Sequence, residues 1–415
     1  MESVLNVNPD LIYADPKTLV DGYTNLQSFK PYQSTFNAGD TMEIKIVSNS
    51  EFIYPKRSFL KFKITPAVQD TLSVLGASSV IDSIQDVVGG VSAYPVHSFN
   101  LLKACDIETD TVEKKTLHHV SSGYLPEEYS LGDKDANATS GSCMFSASKV
   151  VNAAVVVPTT GLVFCVPLPT QLQTAQPLPL PFIQGGVSHN ITFAPMATVF
   201  PAGTATSYTV SEVELIATML QPRDELLIKY QELLSQGGSL VIPFTQVSAH
   251  SFAVNAADTN NVKLNIGWRK SVNNIIVCHR AKAALLTAER FSASKIHLVK
   301  DWYIMSGSQR YPRNFNIPVS TAQVNPWVVL ASISTDAQSL SLGYIGKPKA
   351  NDRSFLYYNF KSNPESFDNG IELSDGYLEL LFNYASNPAA DDVCNCFVEF
   401  DSVLEIDANR VRIKA

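Results

Sequence analysis

PRDELLIKYQELLSQGG, at residues 222–238, is the stretch in which the signals for the start, the buried face and the end of a helix all agree. Pro222 suits a first helical turn because its missing N–H needs no partner there, and Gly237 suits a left-handed C-cap. The same pattern also fits an ordinary surface helix, but the segments on both sides have the period of strands. Apolar residues recur at i, i+4, i+7 and i+8 and give the helix one stripe, made of Leu226, Tyr230, Leu233 and Leu234.

Strand patterns with a period of two fill the chain on both sides of this helix. Before it, apolar and polar residues alternate in MEIKIV at 42–47 and in FLKFKI at 59–64. After it, they alternate in GYLELLF at 376–382 and in VCNCFVEF at 393–400. About seven or eight such segments on each side predict two all-β units of roughly 200 and 180 residues, each the size of an eight-stranded sandwich.

The predicted domain organisation follows from these patterns. Residues 1–30 are polar, contain two prolines and show no sustained period, so we expect an arm that needs a partner surface to become ordered. A first all-β unit is predicted at 31–221, the linking helix at 222–238 and a second all-β unit at 239–415. The fold class is therefore all-β, with two similar halves.

The length, composition and charge of the chain limit the kinds of protein it can be. The chain has 415 residues, 45% of them hydrophobic, which is ample for buried cores. Its net charge is −8 and no run of Lys and Arg exceeds a pair, so direct nucleic-acid binding is not expected. Neither a secretion signal nor an 18-residue apolar run is present in the sequence, and we expect a soluble protein made in the cytosol with no transmembrane segment.

Motifs for catalysis, cofactors and metals are missing from the sequence. It has no Walker, dinucleotide-binding, zinc-protease or nucleophile-elbow motif. Cys394 and Cys396 form a C-x-C without a second ligand pair, and the adjacent His118 and His119 would point to opposite faces of a strand. We therefore predict no catalytic, cofactor-binding or metal-binding residues and no enzymatic activity.

With these features in order, the chain resembles the double jelly-roll major capsid proteins of tailless icosahedral DNA viruses, the lineage of adenovirus hexons, virophages, polinton-like viruses and large DNA viruses. The resemblance covers nearly the whole chain and rests on the order and spacing of motifs that are individually weak. The stretches that carry it are Cys165–Ala194, VSEVELIATMLQPRDELLIKYQELL at 210–234, Ser294–Pro318, DNGIELSDGYLELLFNYA at 368–385, and Phe397–Asp407.

Membership of that family would imply a specific architecture and function. The all-β halves would be two tandem eight-stranded antiparallel jelly rolls, joined by the mid-chain helix and standing side by side. Three subunits would form a trimeric capsomer of pseudo-sixfold outline in the shell of an icosahedral virus, so the protein would be a virion component synthesised in the host cytoplasm. The arm at 1–30 would be a candidate contact with minor capsid or penton proteins or with neighbouring capsomers.

Two alternatives remain open at this stage. The chain could be a minor or vertex jelly-roll capsid protein, although two rolls of near-equal size argue against that interpretation. It could also be a two-domain β-sandwich that binds or hydrolyses glycans. A glycosidase needs two carboxylates about 5–10 Å apart in a cleft, and a sequence with 39 acidic residues does not test that requirement.

Overall fold

Two antiparallel sheets face each other in each half of the chain. The computed structural model describes residues 22–73, 75–109, 122–123, 150–151, 154–174, 176–201, 205–281, 298–318, 355–361, 370–408 and 410–414. The helices are α1 (Phe99–Thr109), α2 (Met196–Val199) and α3 (Asp224–Ser235), and short 3-10 turns occupy Gly76–Val80 and Leu180–Phe182.

The first half contains two main sheets and one small ladder. One sheet has the order β1-β13-β4-β11 with β2 also on β13, the other has the order β3-β12-β6-β7 with β8 on β6, and the ladder is β5-β10-β9. The strands are β1 (Tyr23–Phe29), β2 (Thr35–Asn37), β3 (Thr41–Ile46), β4 (Phe52–Pro66), β5 (Asp70–Thr71), β6 (Ile81–Val88), β7 (Val91–Ser92), β8 (Val96–His97), β9 (Val150–Val151), β10 (Ala154–Val157), β11 (Leu162–Pro167), β12 (Val187–Phe193) and β13 (Tyr208–Gln221).

The second half repeats the arrangement. One sheet has the order β14-β23-β16-β20 with β21 on β16 and β24 on β23, and the other has the order β15-β22-β17-β18 with β19 on β17. The strands are β14 (Leu240–Ala253), β15 (Thr259–Asn265), β16 (Arg269–Arg280), β17 (Val299–Ser306), β18 (Gln309–Tyr311), β19 (Ile317–Pro318), β20 (Leu356–Asn359), β21 (Ile371–Leu373), β22 (Tyr377–Tyr384), β23 (Val393–Ile406) and β24 (Val411–Lys414).

The two halves share one topology. The last long strand of each half inserts between an early strand and a later one, as β13 does between β2 and β4 and as β23 does between β14 and β16. In the facing sheets, β12 lies between β3 and β6, and β22 lies between β15 and β17. This insertion of late strands between early ones is the jelly-roll pattern, so the prediction of two tandem antiparallel jelly rolls is confirmed.

Alternating apolar residues build each core. Met42, Ile44 and Ile46 of β3 are fully buried while the residues between them are exposed, as the period of two predicts. In the second roll, Trp302 stacks on Phe382 with ring centroids 6.2 Å apart. Because one face of each strand is apolar, a register slip of one residue would turn that face to solvent, and the register is thereby fixed.

The predicted arm at 1–30 needs a correction at its C-terminal end. Residues 23–29 form strand β1, which pairs antiparallel with β13 from Tyr23–Gln221 to Phe29–Leu215. Most β1 side chains are exposed, so the strand is held by backbone hydrogen bonds and leaves no hydrophobic period in the sequence. Residues 1–21 lie outside the described part of the chain.

In the region of the predicted linking helix the structure has α3, with a later start. Arg223 is the extended N-cap residue and α3 begins at Asp224, so Pro222 lies before the first turn rather than in it. The physical reason is that β13 continues to Gln221, and the chain needs two residues to turn from strand to helix. Gly237 has φ +81° and takes the predicted left-handed position after the helix.

Candidate functional site: the interface between the rolls

Helix α3 packs on the first roll just before the chain enters the second. Tyr230 stacks on Phe52 of β4 with ring centroids 6.0 Å apart and meets the edge of the Phe182 ring at 5.9 Å. Burial raises the pKa of the Tyr230 phenol. Leu234 keeps only 7% of its surface exposed, whereas Ile228 on the other side of the helix is 51% exposed. The predicted stripe is therefore the face that the helix buries.

One apolar cluster runs from the first-roll core into the second roll. A Cβ on Gly89 of the first roll would lie 2.6 Å from Val411 Cγ2 of the second, and Gly89 has φ +56°, so the close approach requires glycine there. The second roll keeps a separate core between its own two sheets. Its buried members in the shared cluster come from β14, β16, β23, β24 and the residue before β20, and are Leu240, Ile242, Phe244, Cys278, Phe355, Phe397, Leu404, Ile406 and Val411.

Two glutamines fasten Tyr94, which lies between β7 and β8, to strand β14. The Tyr94 backbone N–H donates to Gln246 Oε1 at 3.0 Å, and the Val247 N–H donates to Gln171 Oε1 at 2.7 Å. Gln171 Nε2 also donates to the Tyr94 carbonyl oxygen, and Gln246 Nε2 donates to Ser402 Oγ at 2.9 Å. Backbone groups of both rolls are thus satisfied across the interface, which fixes how the rolls are aligned.

The Tyr94 ring belongs to the same contact. It meets Phe400 of β23 edge-to-face at 5.7 Å. The Arg269 guanidinium lies 4.7 Å from the Tyr94 centroid and 4.5 Å from the Phe400 centroid. Arg269 Nη1 donates to the Trp268 carbonyl oxygen at 2.7 Å. In this cluster the partly exposed Tyr94 ring of the first roll lies against the second roll, and cation–π attraction adds to the apolar packing.

A buried carboxylate in the first roll holds the loop that carries Gln171. Asp86 Oδ2 accepts from Thr170 Oγ1 at 2.9 Å and from the Gln171 N–H at 2.7 Å, and Asp86 Oδ1 lies 2.6 Å from His189 Nδ1. Asp86 and His189 are directly opposite each other on β6 and β12. The Asp86 carboxylate therefore orients a loop in the first roll whose next contact is with the second roll.

A cavity of about 300 Å³ lies between the rolls beside these contacts. From the first roll Lys103 and Asp106 line it, with their Nζ and Oδ2 atoms 3.3 Å apart. From the second roll Asn274 and Glu399 line it, and Asn274 Nδ2 donates to Glu399 Oε2. Burial raises the pKa of Glu399, the hydrogen bond from Asn274 opposes that shift, and nearby Asp106 adds to it.

The arrangement joins two domains rather than assembling reactive groups. Within the described ranges, no group of three or more His, Cys, Asp or Glu side chains is placed to hold a metal ion. Cys394 and Cys396 lie inside the second-roll core, where burial raises the pKa of both thiols. His118 and His119 lie outside the described residues. Among the helices that the structure describes, none is both long and apolar enough to span a membrane.

Sequence reasoning missed the polar residues of this interface. Asp86 and His189 are 103 residues apart, and Tyr94 and Gln246 are 152 apart, so no local motif connects either pair. One signal in the sequence could have pointed to this interface. His189 is a polar residue at a core-facing position of β12, between Val187 and Ile191. Inward polar residues on a strand require partners, but the sequence does not identify those partners.

Comparison with solved structures shows which proteins share this fold. VP54 of PBCV-1, in a structure fitted into a cryo-EM reconstruction of the virophage Sputnik, is 12% identical over 94% of this chain and 97% of that chain, with a TM-score of 0.61. A chain from the Sputnik virophage is 10% identical over 100% of this chain and 92% of that one, with a TM-score of 0.58.

The Faustovirus major capsid protein is 8% identical over 93% of this chain and 90% of that chain, with a TM-score of 0.54. Neither a family model nor a curated protein sequence matches the chain. The structural neighbours are double jelly-roll viral capsid proteins, and this chain has their fold across nearly its whole length. The resemblance drawn from the sequence is confirmed at the level of the fold.

Proposed function

We propose that the protein is a major capsid protein, the structural subunit of an icosahedral DNA virus shell. The observation that carries the proposal is the likeness of both rolls together, since three capsid proteins match over 93–100% of this chain. The interface between the rolls supports it, because a shell subunit needs two sandwiches in a fixed alignment, and the contacts around Tyr94, Gln171 and Gln246 supply one.

The assembly state belongs to the same proposal. Three subunits form a homotrimeric capsomer of pseudo-sixfold outline. In each subunit strand β1 and residues 31–221 make the first roll, 222–238 the linking helix and 239–415 the second roll. Strand β1 joins the first roll, which leaves 1–21 as the arm that contacts neighbouring capsomers or minor capsid and penton proteins. The protein is synthesised in the host cytoplasm and resides in the virion. No enzymatic activity, cofactor, metal or specific nucleic-acid contact is part of this function.

Electron microscopy of the purified full chain tests the proposal, together with a solution mass measurement. The expected particle has threefold symmetry, a near-hexagonal outline and three times the 45.3 kDa mass of one chain. A stable monomer at all concentrations would overturn the capsomer. Binding or hydrolysis of glycans by such a monomer, measured on a glycan panel, would favour the two-domain β-sandwich alternative. A particle with fivefold symmetry would favour the minor or vertex capsid protein.

A further inference from the structure

Two cysteines from different rolls meet at the inter-roll interface. Cys105 lies on helix α1 of the first roll and Cys278 on strand β16 of the second, 173 residues apart in sequence. Their Sγ atoms are 3.4 Å apart, and each residue keeps only 4% of its surface exposed. Both are free thiols in this structure. A contact of this kind between separate domains places two oxidisable sulfurs where one bond would join the domains.

The strand geometry makes this pair selective. Cys278 is directly opposite Asn395 in the β16–β23 ladder. Neighbouring residues of a strand point to opposite faces, so Cys278 points away from the face that carries Cys394 and Cys396. Those two cysteines pack in the second-roll core, whereas Cys278 belongs to the cluster shared by the rolls. Cys165 of β11 is half-buried and lies opposite Lys61 of β4, in the first roll. Among the described cysteines, Cys105 is therefore the partner that the sheet offers to Cys278.

We propose that Cys105 and Cys278 form an inter-roll disulfide when the protein meets a peroxide. One thiolate attacks the O–O bond of hydrogen peroxide, which yields a sulfenic acid and water after proton transfer. The second thiol then attacks the sulfenic sulfur, and the S–S bond forms with loss of a second water. Two thiols are oxidised and one peroxide is reduced. The sulfurs, now 3.4 Å apart, must approach by roughly 1.4 Å to reach a disulfide bond length.

The surroundings set the conditions for the reaction. The contact with Cys278 and burial both raise the pKa of the Cys105 thiol, so little thiolate exists at neutral pH and the reaction is slow. Helix α1 and strand β16 also line the cavity between the rolls, through Leu102 and Ile276, so this cavity lies between the same two elements that carry the cysteine pair. In a reducing cytosol the pair stays as thiols, and an oxidising exterior favours the disulfide.

The biological use of this bond rests on the proposed function. A shell subunit assembles inside a reducing cell and then has to persist outside it, and a covalent bond between its rolls would form after assembly. The bond closes a loop of 173 residues, so the unfolded chain loses conformational freedom when it forms. The chemistry itself depends only on the two sulfurs and applies to a monomer as well as to a trimer.

Thiol counting on the intact protein tests the proposal. The full chain is treated with hydrogen peroxide, quenched, denatured and alkylated, and its free thiols are counted by intact mass. We expect the wild type to lose two of its six thiols, and digestion to recover one crosslinked peptide pair containing residues 105 and 278. Cys165→Ser, the matched control, should lose two as well, whereas Cys105→Ser and Cys278→Ser should form no disulfide.

Several results would overturn the proposal. These are a wild type that keeps all six thiols or oxidises only to sulfinic acid, a disulfide that joins any other pair, or a Cys105→Ser variant that still loses thiols in pairs. Peptide mapping of the wild type needs no variant, so a poorly folding substitution does not decide the outcome. A chain that fails to form trimers but gains the 105–278 bond would count against the capsomer and not against the disulfide.

Discussion

Replacing Leu234 by alanine tests whether helix α3 holds the two rolls together. Leu234 is in the last turn of the helix, keeps 7% of its surface exposed and belongs to the apolar cluster that extends into the second roll. Ile228 is on the same helix, is 51% exposed and lies outside that cluster, so Ile228→Ala is a matched control. Both changes remove aliphatic carbon atoms and introduce no charge.

The two substitutions should lower the free energy of unfolding by different amounts, because only Leu234→Ala leaves a cavity. Leucine to alanine at a buried position costs about 2–4 kcal/mol of unfolding free energy, through lost transfer energy and the space left behind. Ile228→Ala removes a half-exposed side chain and introduces a better helix former, so its cost should stay within about 1 kcal/mol. The difference between the two variants should therefore be at least about 1 kcal/mol.

Urea unfolding followed by two signals measures the effect on each roll. All three tryptophans follow helix α3 in the sequence, so their fluorescence reports on the second roll, whereas far-UV circular dichroism reports on strands of both rolls. If α3 couples the rolls, Leu234→Ala should lower both midpoints together. Equal midpoints for Leu234→Ala and Ile228→Ala, or a fluorescence midpoint that stays at its wild-type value, would refute this reasoning.

The remaining predictions concern the polar contacts between the rolls. Gln171→Ala should lower the free energy of unfolding by about 1–3 kcal/mol, because the Val247 N–H and the Tyr94 carbonyl oxygen lose their protein partners in a part-buried site. Thermal unfolding beside the exposed control Gln33→Ala would measure it. A change no larger than the control's would show that water replaces the amide. Glu399 has a raised pKa in the folded state, so its stabilising contribution is present at low pH and is lost as pH rises above the ordinary value of 4.5. Glu399→Gln keeps an oxygen that can accept the Asn274 hydrogen bond, and it should raise the unfolding midpoint at pH 8 and leave it unchanged at pH 4. A rise of equal size at both pH values would contradict this origin.

The regular parts of both rolls were predictable because their strands are apolar on one face. Cys394, Cys396, Val398 and Phe400 share a face of β23, as the alternation predicted, and all four pack in the second-roll core. The period of two is enough here, since burial of one face decides both the secondary structure and the orientation of each side chain.

Strand β1 was not predictable from that signal. Its sequence, YTNLQSF, places Leu26 on an exposed position and buries almost nothing. The strand pairs with β13 through backbone N–H and C=O groups, and every residue except proline has both. Its side chains add only polar contacts, from Asn25 and Gln27 to Glu51 and from Ser28 to Glu214. A strand held by its backbone and by polar contacts leaves no apolar pattern, so a segment of this kind is indistinguishable from an arm in the sequence.

The interface itself was not predictable because its specificity is polar and long-range. The helical stripe predicted that α3 lies against something, and the structure places Phe52 and Phe182 there. Tyr94, Gln171 and Gln246 come from three separate segments of the two rolls and contact one another across the interface. Contacts between distant segments follow from the packing of whole sheets, which single-sequence patterns do not encode.

The buried Asp86–His189 pair shows how polar groups can specify this alignment. An aspartate that orients a histidine is also found in hydrolases, where the second ring nitrogen activates a nucleophile. Here His189 Nε2 is buried without a hydrogen-bond partner among the described residues. A one-residue slip between β6 and β12 would separate the pair and leave a buried carboxylate facing an apolar core, at a cost of several kcal/mol. The pair thereby fixes the register of two strands, and Asp86 also fixes the loop at Thr170, so the position of Gln171 against the second roll follows from the register of the first.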